Sequence, residues 1–171
     1  MKKKKVVKLS SFLIVAGFVA YAFMSYVRIA RLDLPVNPRC RECFSPAKNH
    51  AGCLIAVDKK ILLVRDKKSK KFGFPAGRHE LGERAFQTAY RETLEETGLR
   101  VVLDYYISEF ASENFRLFKC NIIEDTGKHD NEIIEVRYVN KGELKDVIDN
   151  GDARFKNQLE YVHEHFEELN K

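Results

Sequence analysis

The stretch Gly77–Leu99, GRHELGERAFQTAYRETLEETGL, decides how the rest of the chain is read. Ala85–Thr97 has helical spacing, and Gly98 stands where a left-handed cap ends a helix. At 100° per residue, Glu92, Glu95 and Glu96 fall within about a third of the helix circumference. The same geometry puts Phe86, Tyr90 and Leu94 opposite, as anchors to a sheet, with the small Ala85 and Ala89 on the glutamate side. Glu92 and Glu96 are like charges at i and i+4, which destabilise a helix by roughly 0.2–0.5 kcal/mol. Such a trio is either a solvated acidic face or a set of oxygen ligands for a hard divalent cation such as Mg2+ or Mn2+. Spacing alone leaves both readings open.

The full stretch resembles the Nudix box, G-x5-E-x7-R-E-U-x-E-E-x-G-U, where U is aliphatic. Gly77, Glu83, Arg91, Glu92, Glu95, Glu96, Gly98 and Leu99 are all in register; the one departure is Thr93, a β-branched residue that can still pack. The resemblance implies an α/β fold, a Nudix-type α/β/α sandwich with a mixed sheet, over residues 50–171. It also implies hydrolysis of a pyrophosphate linkage in a nucleoside diphosphate derivative or a related diphosphate, lipid-linked ones included, with Mg2+ or Mn2+. Carried onto this chain, Glu92, Glu95 and Glu96 resemble the metal ligands, joined by the backbone carbonyl of Ala76. Arg91 is similar to the arginine that orients Glu83 or Glu92, so the catalytic set is Glu83, Arg91, Glu92 and Glu95. In some relatives the general base lies on a later loop, for which Glu113, Glu124, Glu132 and Glu135 are candidates; His79 reads as a surface residue. The alternative is a non-catalytic module that keeps the fold to bind nucleotide.

Working outward, Ala51–Val57 and Ile61–Arg65 flank Asp58-Lys59-Lys60 as a hairpin. Lys67–Lys71 is a basic loop, and Phe72–Phe74 runs into a turn at Pro75-Ala76-Gly77. Leu99–Phe110, Phe115–Ile123 and Ile133–Val139 are β-rich. Phe155–Leu169 forms a closing amphipathic helix with Phe155, Leu159, Val162 and Phe166 on one stripe.

The 171 residues suffice for one domain and a short appendage. Residues 1–31 carry seven basic side chains and no acid, whereas the remaining 140 hold 23 basic and 25 acidic ones. The net charge of +5 therefore belongs to the N-terminus, and the domain has no overall pull on nucleic acid. Residues 9–27, LSSFLIVAGFVAYAFMSYV, contain no charge and as a helix would span roughly 28 Å, near the ~30 Å of a bilayer core. The expectation is one N-terminal hydrophobic helix, with 1–31 a membrane anchor or a signal segment cleaved after residue 22. Lysines before it and only Arg28 and Arg31 behind it favour a domain outside the cytoplasm, on the periplasmic side in a bacterium.

Residues 32–49 hold three prolines and two of the four cysteines, and read as a linker without regular structure. In an oxidising compartment Cys40, Cys43, Cys53 and Cys120 allow three complete disulfide pairings, which the sequence does not distinguish. Zinc at Cys40-x-x-Cys43 lacks its second ligand pair, and a redox role lacks a following helix.

Overall fold

The computed structural model describes residues 36–45 and 49–170. Asp58 and Lys59, with φ of 49° and 59°, turn the chain back between β1 (His50–Val57) and β2 (Lys60–Asp66). Two consecutive positive φ values match the twist of the flanking strands, and Val57 faces Lys60 in the expected hairpin. β3 (Phe72–Gly73) pairs with β2, and β4 (Ala76–Arg78) pairs with the start of β1. Ala76 and Gly77 are thus in a strand rather than a turn. The pairing is tight: a Cβ on Gly52 would stand 2.4 Å from the Cβ of Ala76.

Then come α1 (Ala85–Thr97), β5 (Leu99–Phe110), β6 (Phe115–Asp125), β7 (Ile133–Val139) and α2 (Lys141–Asp149). The chain closes with α3 (Lys156–Glu164) and α4 (Phe166–Leu169). The sheet runs β3-β2-β1-β6-β5, with β4 joined to β1 and β7 to β2. β1 and β6 are parallel and the other strand pairs antiparallel, so the sheet is mixed.

Side chains alternate across a strand, and the two faces of β1 meet different helices. Leu54 joins Leu63, Phe72, Phe115, Leu144, Leu159 and Val162 in the main core, which α2 and α3 cover. Cys53, pointing the other way, has its sulfur 3.9 Å from the carbonyl of Ala89 on α1. Helices therefore lie on both faces.

The face by which α1 meets the sheet differs from the expectation. Ala85, Phe86, Thr88, Ala89, Thr93 and Thr97 are buried, while Tyr90 and Leu94 are only half-buried. The small residues lie innermost because helix and strand approach closely there. Thr93, the departure from the box, is fully buried and bonds its hydroxyl back to Ala89 O at 2.7 Å. Gly98 caps the helix with φ 74°.

All four cysteines lie in disulfides, Cys40–Cys43 and Cys53–Cys120. The second joins β1 to β6 beneath α1. The segment 36–45, read as irregular linker, instead forms a 3-10 turn at Glu42–Phe44 and packs on the domain. The Asn37 N–H donates to Leu103 O at 2.9 Å, and the Phe44 ring meets Phe86 edge-on at 5.6 Å.

The closing helix is broken at His165, whose ring stacks on Tyr161 at 4.3 Å. α2 was not read from the sequence, although Asn140 and Glu143 form a reciprocal capping box there. No helix among the described residues is long and apolar enough to cross a membrane, and the proposed span 9–27 lies outside them.

Candidate active site

Arg91 is the hub of the box. Its Nε and Nη2 donate to the two oxygens of Glu83 at 2.8 and 3.1 Å. Nη1 donates to Glu92 at 2.7 Å and to Glu95 at 3.0 Å, and Nη2 also reaches Arg78 O at 2.9 Å. All five guanidinium donors are thereby used. One side chain ties β4, the loop before α1 and α1 itself together.

Glu83 additionally accepts the Glu80 N–H and the Thr88 hydroxyl, each at 2.8 Å. Burial pushes its pKa up, but these donors and Arg91 outweigh it and hold the carboxyl below its ordinary value. Glu83 and Arg91 are thus locked to each other by charge and hydrogen bonds.

Glu92 packs against Gly77 so closely that a Cβ there would lie 2.2 Å from its carboxylate. Burial raises its pKa despite Arg91. Glu95 is half-exposed. Glu96 is the opposite case, 6% exposed, accepting the N–H of Ala76 at 2.8 Å. Burial, with Glu92 and Asp130 nearby, pushes its carboxyl up to about 8. In the structure Ala76 thus meets Glu96 through its amide.

The chemistry of this donor set suits a divalent cation. The three carboxylates occupy the last turns of α1, where the helix dipole disfavours negative charge. Arg91, the cation in contact with Glu92 and Glu95, is already shared with Glu83. Buried carboxylates without a cation in contact are costly. As they stand, no three Asp, Glu, His or Cys side chains among the described residues are grouped closely enough to hold a metal ion together, and Glu92 and Glu95 each accept a hydrogen bond from Arg91.

The later-loop candidates divide. Glu124 pairs with Arg100 at 2.9 Å, and Glu135 faces Arg65 at 3.6 Å. Glu132 is exposed, and Glu113 lies in the turn between β5 and β6. His79 contacts Asn49 O at 3.4 Å. Asp130, which the sequence reading missed, is the acid that reaches the site: its N–H donates to Glu95 O at 2.7 Å and its charge acts on Glu96. Its place in the short polar loop between two strands is its sequence signal.

A family model described as "NUDIX domain" matches residues 46–159. Among solved structures, the chain is similar to a NUDIX hydrolase from Nitrosomonas europaea at 26% identity. That match covers 75% of this chain and 77% of that one, with a TM-score of 0.57. A UDP-X diphosphatase is 16% identical over 99% of this chain and 86% of that one, with a TM-score of 0.59. An Ap4A hydrolase from C. elegans is 20% identical over 70% and 96%, with a TM-score of 0.55. No curated protein matches the chain significantly. With the family model spanning more than half of its length and the box residues assembled around Arg91, the chain belongs to the NUDIX domain family.

Proposed function

We propose that this protein hydrolyses a pyrophosphate linkage in a nucleoside diphosphate derivative or a related diphosphate, using Mg2+ or Mn2+. The observation that carries this reading is the buried Glu96 carboxylate beside Glu92, with no cationic side chain among the described residues paired with it. Two similar structures, a UDP-X diphosphatase and an Ap4A hydrolase, support a diphosphate substrate.

Glu92, Glu95 and Glu96, with the carbonyl of Ala76, would hold the cation. When bound, it supplies charge neutralisation on the phosphates and lowers the pKa of water. Arg91 and Glu83 keep Glu92 in place, so little reorganisation is left for the reaction. Water adds to one phosphorus, the bridging oxygen leaves with the other phosphate, and the water's proton passes to a carboxylate of this cluster. Glu92 suits that role, because burial raises its proton affinity.

The reading includes a tether at residues 9–27 and a domain outside the cytoplasm, or a secreted domain if residues 1–22 are removed. Pairing of all four cysteines supports an oxidising compartment. Full-length protein in detergent, assayed with nucleoside diphosphate sugars, dinucleoside polyphosphates and prenyl diphosphates, tests the activity. Cation-dependent release of phosphate products from at least one class is expected, abolished by Glu96→Gln with folding retained. Cation binding without hydrolysis of any class would overturn the enzyme reading in favour of a non-catalytic nucleotide-binding module.

A further inference from the structure

Between α2 and α3 the chain runs alongside β3. The Phe72 N–H donates to Asp152 O at 2.8 Å, and the Arg154 N–H donates to Phe72 O at 2.7 Å. Ala153 thereby stands beside Phe72 in a parallel bridge, and both are buried in the main core. Successive side chains of an extended segment point to opposite faces, so Arg154 points away from that core. Its stem lies along Gly73, where a Cβ would be 3.5 Å from Arg154 Cβ and 3.8 Å from its Cδ.

The same alternation carries on into the box. Phe72, Phe74 and Ala76 belong to the main core, whereas a Cβ on Gly77 would meet the Glu92 carboxylate. Arg154 is therefore on the face that α1 covers. Gly73 and Ala76, whose N–H donates to Glu96, are three residues apart, at most about 11 Å of extended chain. The charge of Arg154 acts on both Glu96 and His50.

The guanidinium itself is loosely held. It lies over the Phe155 ring, 5.4 Å from the centroid, and its carboxylate partner Asp66 stands at 4.0 Å, beyond hydrogen-bonding distance. Asp66 is occupied with the turn after β2, where it accepts the Ser69 N–H at 2.6 Å. Arg91, by contrast, makes five bonds of 2.7–3.1 Å. The Arg154 side chain is 32% exposed, so a solute reaches it. A diphosphate bound through a cation to Glu92 and Glu96 would meet this fork. As the bridging P–O bond breaks, its electron pair stays on the departing phosphate, and a donor set in advance stabilises that charge. Planar guanidinium forks match phosphate oxygens two at a time. The β3 hydrogen bond and the Phe155 ring hold the fork ready before substrate arrives.

We propose that Arg154 is a substrate-contacting residue of this site, donating to the phosphate that departs when the pyrophosphate bond is cut. This rests on the hydrolase reading above, and two readouts separate them. The first is calorimetric binding of methylenediphosphonate, a diphosphate whose bridge cannot be hydrolysed, to the full-length chain in Mg2+. Arg154→Gln should weaken it at least tenfold, and Arg154→Lys less, because charge is kept and the fork lost. The Lys variant also decides the question if the Gln variant does not fold. Asp66→Asn removes the same ion pair but leaves the guanidinium, so it should stay within about threefold of wild type. The second is kcat/KM for whichever pyrophosphate the enzyme cuts, expected to fall about 100-fold in Arg154→Gln, as for loss of one transition-state donor. Unchanged methylenediphosphonate affinity in folded Arg154 variants, or unchanged kcat/KM in an active enzyme, overturns the contact. So does an equal loss in Asp66→Asn, which would make the role structural, and so does a wild-type chain that binds no methylenediphosphonate. Binding weakened in the Arg154 variants of a chain that hydrolyses no pyrophosphate upholds the contact and sinks the hydrolase reading.

Discussion

Removing the charge of Glu96 should change how stability depends on pH. Folded, this carboxyl keeps its proton to about 8, against an ordinary value of 4.5, mainly because of burial. Between those values the unfolded chain binds fewer protons than the folded one, so stability falls as pH rises. The slope approaches about 1.4 kcal/mol per pH unit, giving roughly 2.5 kcal/mol lost between pH 5 and 7. At this chain length that corresponds to about 5–10 °C in Tm. Glu96→Gln still accepts the Ala76 N–H but cannot ionise, so this part of the loss disappears. Glu83 has its pKa lowered, so its contribution is lost only as pH falls below the ordinary carboxylate range, outside the window. The assay is thermal unfolding of both full-length proteins in chelator at pH 5 and pH 7. Comparing the two pH differences cancels the groups remote from Glu96, which titrate alike in both proteins. Saturating Mn2+ should flatten the wild-type dependence, because a cation there replaces the proton. Equal pH differences for the two proteins in chelator would refute the burial argument and, with it, the case for a cation at Glu96.

Gly77→Ala places a methyl 2.2 Å from the Glu92 carboxylate and drives it from its position. The variant should lose about 100-fold in kcat/KM, as expected for a misplaced catalytic group, and match Glu92→Gln within a few-fold in the same assay. The Cys53–Cys120 disulfide closes 67 residues of chain, which by loop entropy is worth about 4 kcal/mol. Cys40–Cys43, with a separation of three, is worth under about 2 kcal/mol. Urea unfolding of Cys53→Ala/Cys120→Ala and Cys40→Ala/Cys43→Ala variants should show that order.

The features that were legible in advance are those set within a few residues of chain. The bounds of α1, its Gly98 cap, the Asp58-Lys59 reversal and the three long strands after α1 all follow from local spacing and turn chemistry. Even α2 carried a local signal in Asn140 and Glu143. The buried face of α1 was misassigned because hydrophobicity points to Tyr90 and Leu94, whereas close packing over Cys53 demands the small Ala89 and Thr93. The 36–45 segment looked irregular because its partners, Leu103 and Phe86, are distant in sequence.

By itself, then, the order of residues determined a helix with three acids on one side, the register of the box and the charge asymmetry of the chain. Period and spacing are properties of neighbouring residues and need no partner. Only the tertiary structure decided which acids Arg91 engages, that Glu96 lies buried on the Ala76 amide, which cysteines pair, and that Asp130 stands close by. Those depend on burial and on contacts between strands far apart in sequence, where desolvation and Coulomb energies are set by whatever the fold brings near.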